Sequence, residues 1–95
     1  MQVYILFRVS KKTGKVDTQM TGITSALMEM WALNNTPKTK MCMIFERESG
    51  KVVFATYGTA DGFPKVKKEK DINLTCEDYG ISLEVLHSIK DDRFD

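Results

Sequence analysis

Two stretches of this chain repeat one pattern of apolar and polar positions, YILFRVSKKTGKVDTQMTG and later CMIFERESGKVVFATYG. Each is an apolar run, a charged turn ending in Gly-Lys-Val, and a second run closing on a glycine, Gly22 or Gly58. Runs of this length around glycine-bearing turns predict two β-hairpins. The first carries a longer loop, Lys11 to Gly14, whereas Ser49-Gly50 suits a two-residue turn in the second. Side chains alternate between sheet faces, so a register fixes which residues meet. Pairing Ser10 with Lys15 sets Val9, Phe7 and Ile5 beside Val16, Thr18 and Met20 on an apolar face, and Arg8 beside Asp17 on a wet one. Pairing Glu48 with Lys51 sets Phe45 beside Phe54, Met43 beside Thr56, Ile44 beside Ala55 and Cys42 beside Tyr57. Both faces of that second hairpin then require cover.

Between the hairpins, Ile23 to Leu33 (ITSALMEMWAL) has the length of a helix and a single charge, Glu29. A surface helix shows one apolar stripe opposite a polar face, so an apolar circumference predicts cover on two sides. Thr24 or Ser25 is placed to cap its start, and Asn34, Asn35 and Pro37 to end it. After the second hairpin, TADGFPKVKKEKD reads as an exposed loop. From Ile72 to Ile89 the spacing of Val85, Leu86 and Ile89 behind a Ser82 cap favours a helix, although Tyr79, Ile81, Leu83 and Val85 also alternate as in a strand. The sum is a single two-layer α+β domain spanning residues 1–95, order ββαββα, with a mainly antiparallel sheet of about four strands.

Composition narrows the function. The 95 residues suffice for one modest core. A net charge of +1 gives no general attraction to nucleic acid or to anionic membrane, so such binding requires local clustering. Two such clusters exist: Lys11, Lys12 and Lys15 in the first turn, and Lys65, Lys67, Lys68 and Lys70 after the second hairpin. They define an alternative reading as a nucleic-acid-binding accessory protein, although Phe63 is the one aromatic beside them where a single-strand binder uses a stacking row. No run reaches the roughly 18 apolar residues that span a bilayer, and the N-terminal run reads as a strand, not a signal core. Two cysteines without ligand spacing fit a reduced, cytoplasmic setting.

Candidate chemistry is sparse, and no enzyme is expected. The one histidine, His87, lacks a nearby nucleophile in the pattern, Cys42 lies in an apolar strand, and Cys76 adjoins Glu77 and Asp78, which oppose a thiolate. Glu77-Asp78 and Asp91-Asp92 lack the spacing of a metal loop, so neither metal nor cofactor is assigned. Gly22, Thr24 and Ser25 form a strand-to-helix junction of the kind that accepts an anion, with ordinary helix capping as the simpler explanation. The favoured function is therefore non-catalytic: a small binding or adaptor protein that forms a homodimer or docks on another protein, without a membrane partner. Its contacts are expected at Met28, Trp31 and Leu33 if the helix is the interface, or at Ile44, Val53 and Tyr57 if the sheet is.

Overall fold

A computed structural model describes residues 2–90; Asp91, Asp92 and Phe94 lie outside them. The elements are β1 (Tyr4–Ser10), β2 (Val16–Gly22), α1 (Ser25–Asn34), β3 (Lys40–Glu46), β4 (Val52–Tyr57), β5 (Lys65–Lys68) and α2 (Leu83–Ser88). Two 3-10 turns, Glu69–Asp71 and Cys76–Tyr79, lie between β5 and α2. The fold is α+β, built on a five-stranded antiparallel sheet of order β2-β1-β3-β4-β5.

β5 corrects the expected loop. Its four residues are exposed, so no burial pattern marks the strand in sequence; pairing with the outer edge of β4, from Phe54–Lys68 to Tyr57–Lys65, creates it. Its three lysines then guard the edge against further pairing.

Both hairpin registers differ from the simple alternation: each carries a one-residue bulge, and in the second a longer turn also sets Glu46, not Glu48, opposite Lys51. Val9 faces Val16 as expected, but a bulge at Asp17 shifts the rest, so Phe7 faces Gln19 and Ile5 faces Thr21. In the second hairpin the bulge falls at Val53: Phe45 faces Val52, Ile44 faces Phe54, and Met43 faces Ala55. The second turn is not a two-residue one. Glu46 N–H bonds to Lys51 O at 2.9 Å and Gly50 N–H to Glu46 O at 2.8 Å, as Ser10 N–H bonds to Lys15 O and Gly14 N–H to Ser10 O in the first. Both loops thus hold four residues and end on a glycine with φ of 72° or 74°, a backbone that side chains resist. The two hairpins match at a constant offset of 36 (Ser10 to Glu46, Asp17 to Val53, Gly22 to Gly58). β1 and β3 pair from Tyr4–Glu46 to Ser10–Lys40 with Phe7 opposite its counterpart Met43, so a local two-fold passes through that pair.

The central strands are apolar on both faces, and this chain covers both. Leu6, Cys42, Ile44 and Phe54 meet Met28 and Ala32 of α1 on one face. Ile5, Phe7, Met43, Phe45 and Ala55 meet Ile72, Cys76 and Leu86 of the C-terminal segment on the other. The expected two layers become three. Helix α2 starts on the Ser82 cap, whose hydroxyl accepts the Val85 N–H at 3.2 Å.

Candidate functional site

Burial redistributes the candidate contacts. Met28 and Ile44 are core residues with no exposed surface, a correction to their assignment as interface contacts. The two-sided apolarity of the second hairpin is met within this chain, by α1 on one face and the C-terminal segment on the other. Val53 and Tyr57 are half-buried, Val53 against the α1 core and Tyr57 with its hydroxyl 3.4 Å from that of Tyr79. Trp31 is half-buried too: its ring packs on the α1 core and carries the Arg8 guanidinium 5.3 Å from its centre. Trp31 therefore anchors the rim of the core.

Helix α1 nevertheless keeps an uncovered apolar side. Leu27, Met30 and Leu33 are 45%, 61% and 43% exposed, and Ile23 just before the helix joins them. Of these, the sequence pattern singles out only Leu33. Periodicity alone cannot tell an apolar position facing the sheet from one facing outward when the whole circumference is apolar. The helix's one charge, Glu29, instead turns sideways and is half-buried against a cavity of about 310 Å³. Val53 and Phe54 give this cavity apolar walls; Tyr4, Glu46, Glu69 and Lys68 supply much of its polar lining. Glu46 accepts from Gln2 Nε2 and Ser49 Oγ, and Glu69 pairs with Lys51 at 2.8 Å, whereas Glu29 has no ion-pair partner among the described residues.

The lysines divide by position along the sheet. Lys11 ties three loops together at one end: its backbone N–H bonds to Thr39 O, and its ammonium donates to Gly58 O at 2.7 Å and Lys38 O at 3.3 Å. The register brings Lys12, Lys15, Lys38, Lys40 and Lys65 to this same end, since Ser10 pairs with Lys40 and Tyr57 with Lys65. Lys67 and Lys68 instead run along β5 away from it, and Lys70 lies beyond on the Glu69–Asp71 turn. The two lysine clusters thus do not form one patch; three of the four lysines of the second lie away from the basic end. The loop Gly58–Pro64 at the basic end presents Phe63 with 79% of its surface exposed. That loop is braced internally, Asp61 accepting from Thr59 Oγ1 and from Phe63 N–H at 2.9 Å, bonds that also lower the Asp61 pKa.

The strand-to-helix junction is ordinary in form. Gly22 is buried at the end of β2, Ser25 is half-buried on the wall of the acidic cavity, and Thr24 holds the N-cap position with extended backbone but no side-chain cap bond. The thiols are shielded: burial pushes Cys42 and Cys76 up, and Cys42 sits against Thr36 Oγ1 at 3.3 Å in a buried group with Thr56. His87 Nε2 lies 3.1 Å from Glu48 O and 3.6 Å from its carboxylate. Among the described residues no three metal-ligating side chains converge, and no helix is long and apolar enough to cross a membrane. Comparison with protein-family models, with curated proteins and with solved structures returns no match.

Proposed function

We propose that this protein acts by protein–protein association, as a non-catalytic binding protein whose contact surface is the outer side of α1. The reading rests on one observation: Leu27, Met30 and Leu33 face away from the sheet on a helix whose only charge is turned aside. A helix exposed to water ordinarily carries its charges outward, and an inverted arrangement is what a second layer of protein stabilises. Helices alone in water gain nothing from such a side, whereas its burial contributes roughly 25 cal/mol for each Å² removed from solvent.

Light scattering across a dilution series tests the proposal. The expected result is a mass above that of the 10.8 kDa chain at high concentration, falling on dilution. Met30→Glu is expected to shift the midpoint to at least about tenfold higher concentration, the scale expected when a central apolar side chain is removed from an interface. A wild-type chain that keeps the 10.8 kDa monomer mass at every concentration, or an unmoved midpoint for Met30→Glu, rejects self-association through α1.

A further inference from the structure

We infer that this chain assembles head to tail, with Phe63 at the basic end of one copy seated in the acidic cavity beside α1 of the next. The inference rests on the proposal of association and names its partner, a second copy of this chain.

The apolar side of α1 is too small to hold a complex alone. A few part-exposed side chains make a patch of ordinary monomer size, on the order of 300–600 Å². A stable interface takes about 800 Å² from each partner. Something must extend the contact, and the cavity lined by Ser25 and Glu29 directly adjoins the helix.

The two ends of the sheet differ in charge, and one carries an exposed aromatic side chain where the other carries a cavity. The near-zero net charge conceals this polarity. At one end Lys11, Lys12, Lys15, Lys38 and Lys65 stand against Asp61, while Lys40 is neutralised by Asp17 at 2.8 Å. At the other end Glu29, Glu46 and Glu69 line the cavity against Lys68. Lys51 neutralises Glu69 at 2.8 Å, so Glu29 and Glu46 are the carboxylates there without an ion pair among the described residues. Phe63 projects from the first end on a loop fixed by its own hydrogen bonds, and the cavity offers the half-buried Val53 and Tyr4 as apolar and aromatic surface above the buried Phe54. A braced aromatic knob loses little freedom on docking, and Lys65 two residues away would meet Glu29, whose carboxylate has no ion-pair partner among the described residues of its own chain. Knob and cavity lie at opposite ends of the same sheet, so one copy cannot satisfy itself. A knob that fits a hole elsewhere on an identical molecule makes a heterologous contact, which closes into a ring or continues as a filament.

Complementary variants provide the test. Phe63→Ser removes the knob and Glu29→Lys reverses the cavity; Phe63 is mostly exposed and Glu29 has no ion pair among the described residues to break. Circular dichroism should show both folded. In sedimentation velocity at low salt, wild type is expected to give species larger than a dimer that shrink as salt is raised, and each variant alone to remain monomeric. Mixed one to one, the Glu29→Lys copy still has its knob and the Phe63→Ser copy its hole, so the mixture is expected to form dimers that do not grow.

Variants that associate like wild type overturn the inference, as does a mixture that stays monomeric. If Met30→Glu disperses wild-type assemblies while Phe63→Ser leaves them intact, the α1 contact stands and the head-to-tail contact falls. If Phe63→Ser disperses them and Met30→Glu does not, the reverse holds. A monomeric wild type that binds anionic vesicles or single-stranded oligonucleotides through Phe63 also overturns it, assigning the knob to another partner.

Discussion

Asp17 shows how one residue can be read correctly for an incomplete reason. The Arg8–Asp17 ion pair expected from direct opposition is present, with Arg8 Nε donating to the carboxylate at 2.8 Å, yet Thr18 is the residue opposite Arg8. Asp17 is the extra residue of the bulge, and the bulge swings its carboxylate between Arg8 and Lys40. Hydrogen bonds from Arg8 first, then Lys40 and Thr18, hold its pKa well below the usual carboxylate range. A group depressed in the folded state contributes stability that is present above its unfolded pKa, about 3.9, and lost as pH falls through the folded value. Asp17→Asn should therefore melt below wild type at pH 7, with the difference shrinking below about pH 4. A gap in melting temperature that stays constant from pH 7 to pH 2 would contradict this assignment. Gly58 makes a simpler demand: a Cβ there would fall 1.9 Å from the Pro37 carbonyl oxygen, so Gly58→Ala must displace backbone. The expected loss is about 1–3 kcal/mol, as for an overpacked core, read from urea unfolding.

At the scale of elements, the two hairpins use one design in different surroundings. Gly14 and Gly50 hold the same positive φ at the same loop position, but a Cβ on Gly14 meets open space while one on Gly50 lies 2.8 Å from Cys76 Sγ. Gly14→Ala should cost only the backbone strain, about 1–2 kcal/mol, and Gly50→Ala measurably more. Equal losses in urea unfolding would mean that the C-terminal segment gives way freely around Cys76. The hairpins and α1 were legible because glycine turns and apolar runs report local conformation directly. Bulges leave no such mark, since Asp17 and Val53 are ordinary strand residues whose extra place is fixed by pairing. β5 was hidden because an exposed edge strand needs no alternation, and its lysines read as loop. Within α1, the sequence showed an excess of apolar positions but not which of them the sheet would take. Met28 and Ala32 went inward, leaving Leu27 and Met30 outside. The end-to-end charge separation depends on strand order and register, so it appears only when distant loops are brought together.

At the scale of the whole molecule, the local two-fold of the sheet is broken by what covers it. Each hairpin leads into a covering segment, but α1 takes one face and the segment from Ile72 to Ile89 takes the other. The segment between Asp71 and α2 has little regular structure, yet it covers Ile5, Phe7, Met43 and Phe45, the apolar centre of its face. Its stability contribution is therefore that of core and not of a tail. Leu86 is fully buried in this layer, and Leu86→Ala is expected to cost about 2–5 kcal/mol. Leu27→Ala on the exposed side of α1 should stay within about 0.5 kcal/mol for the monomer at low concentration. Urea unfolding of both variants separates the two kinds of leucine. The stronger form of the prediction is a chain ended at Asp71. Without its third layer the sheet would expose one whole apolar face, so this truncation should bind a hydrophobic dye and unfold without a cooperative transition. A truncated chain that melted sharply, with native near-ultraviolet circular dichroism, would show that hairpins and α1 form a sufficient core. The C-terminal layer would then be an addition to the fold and not part of its foundation.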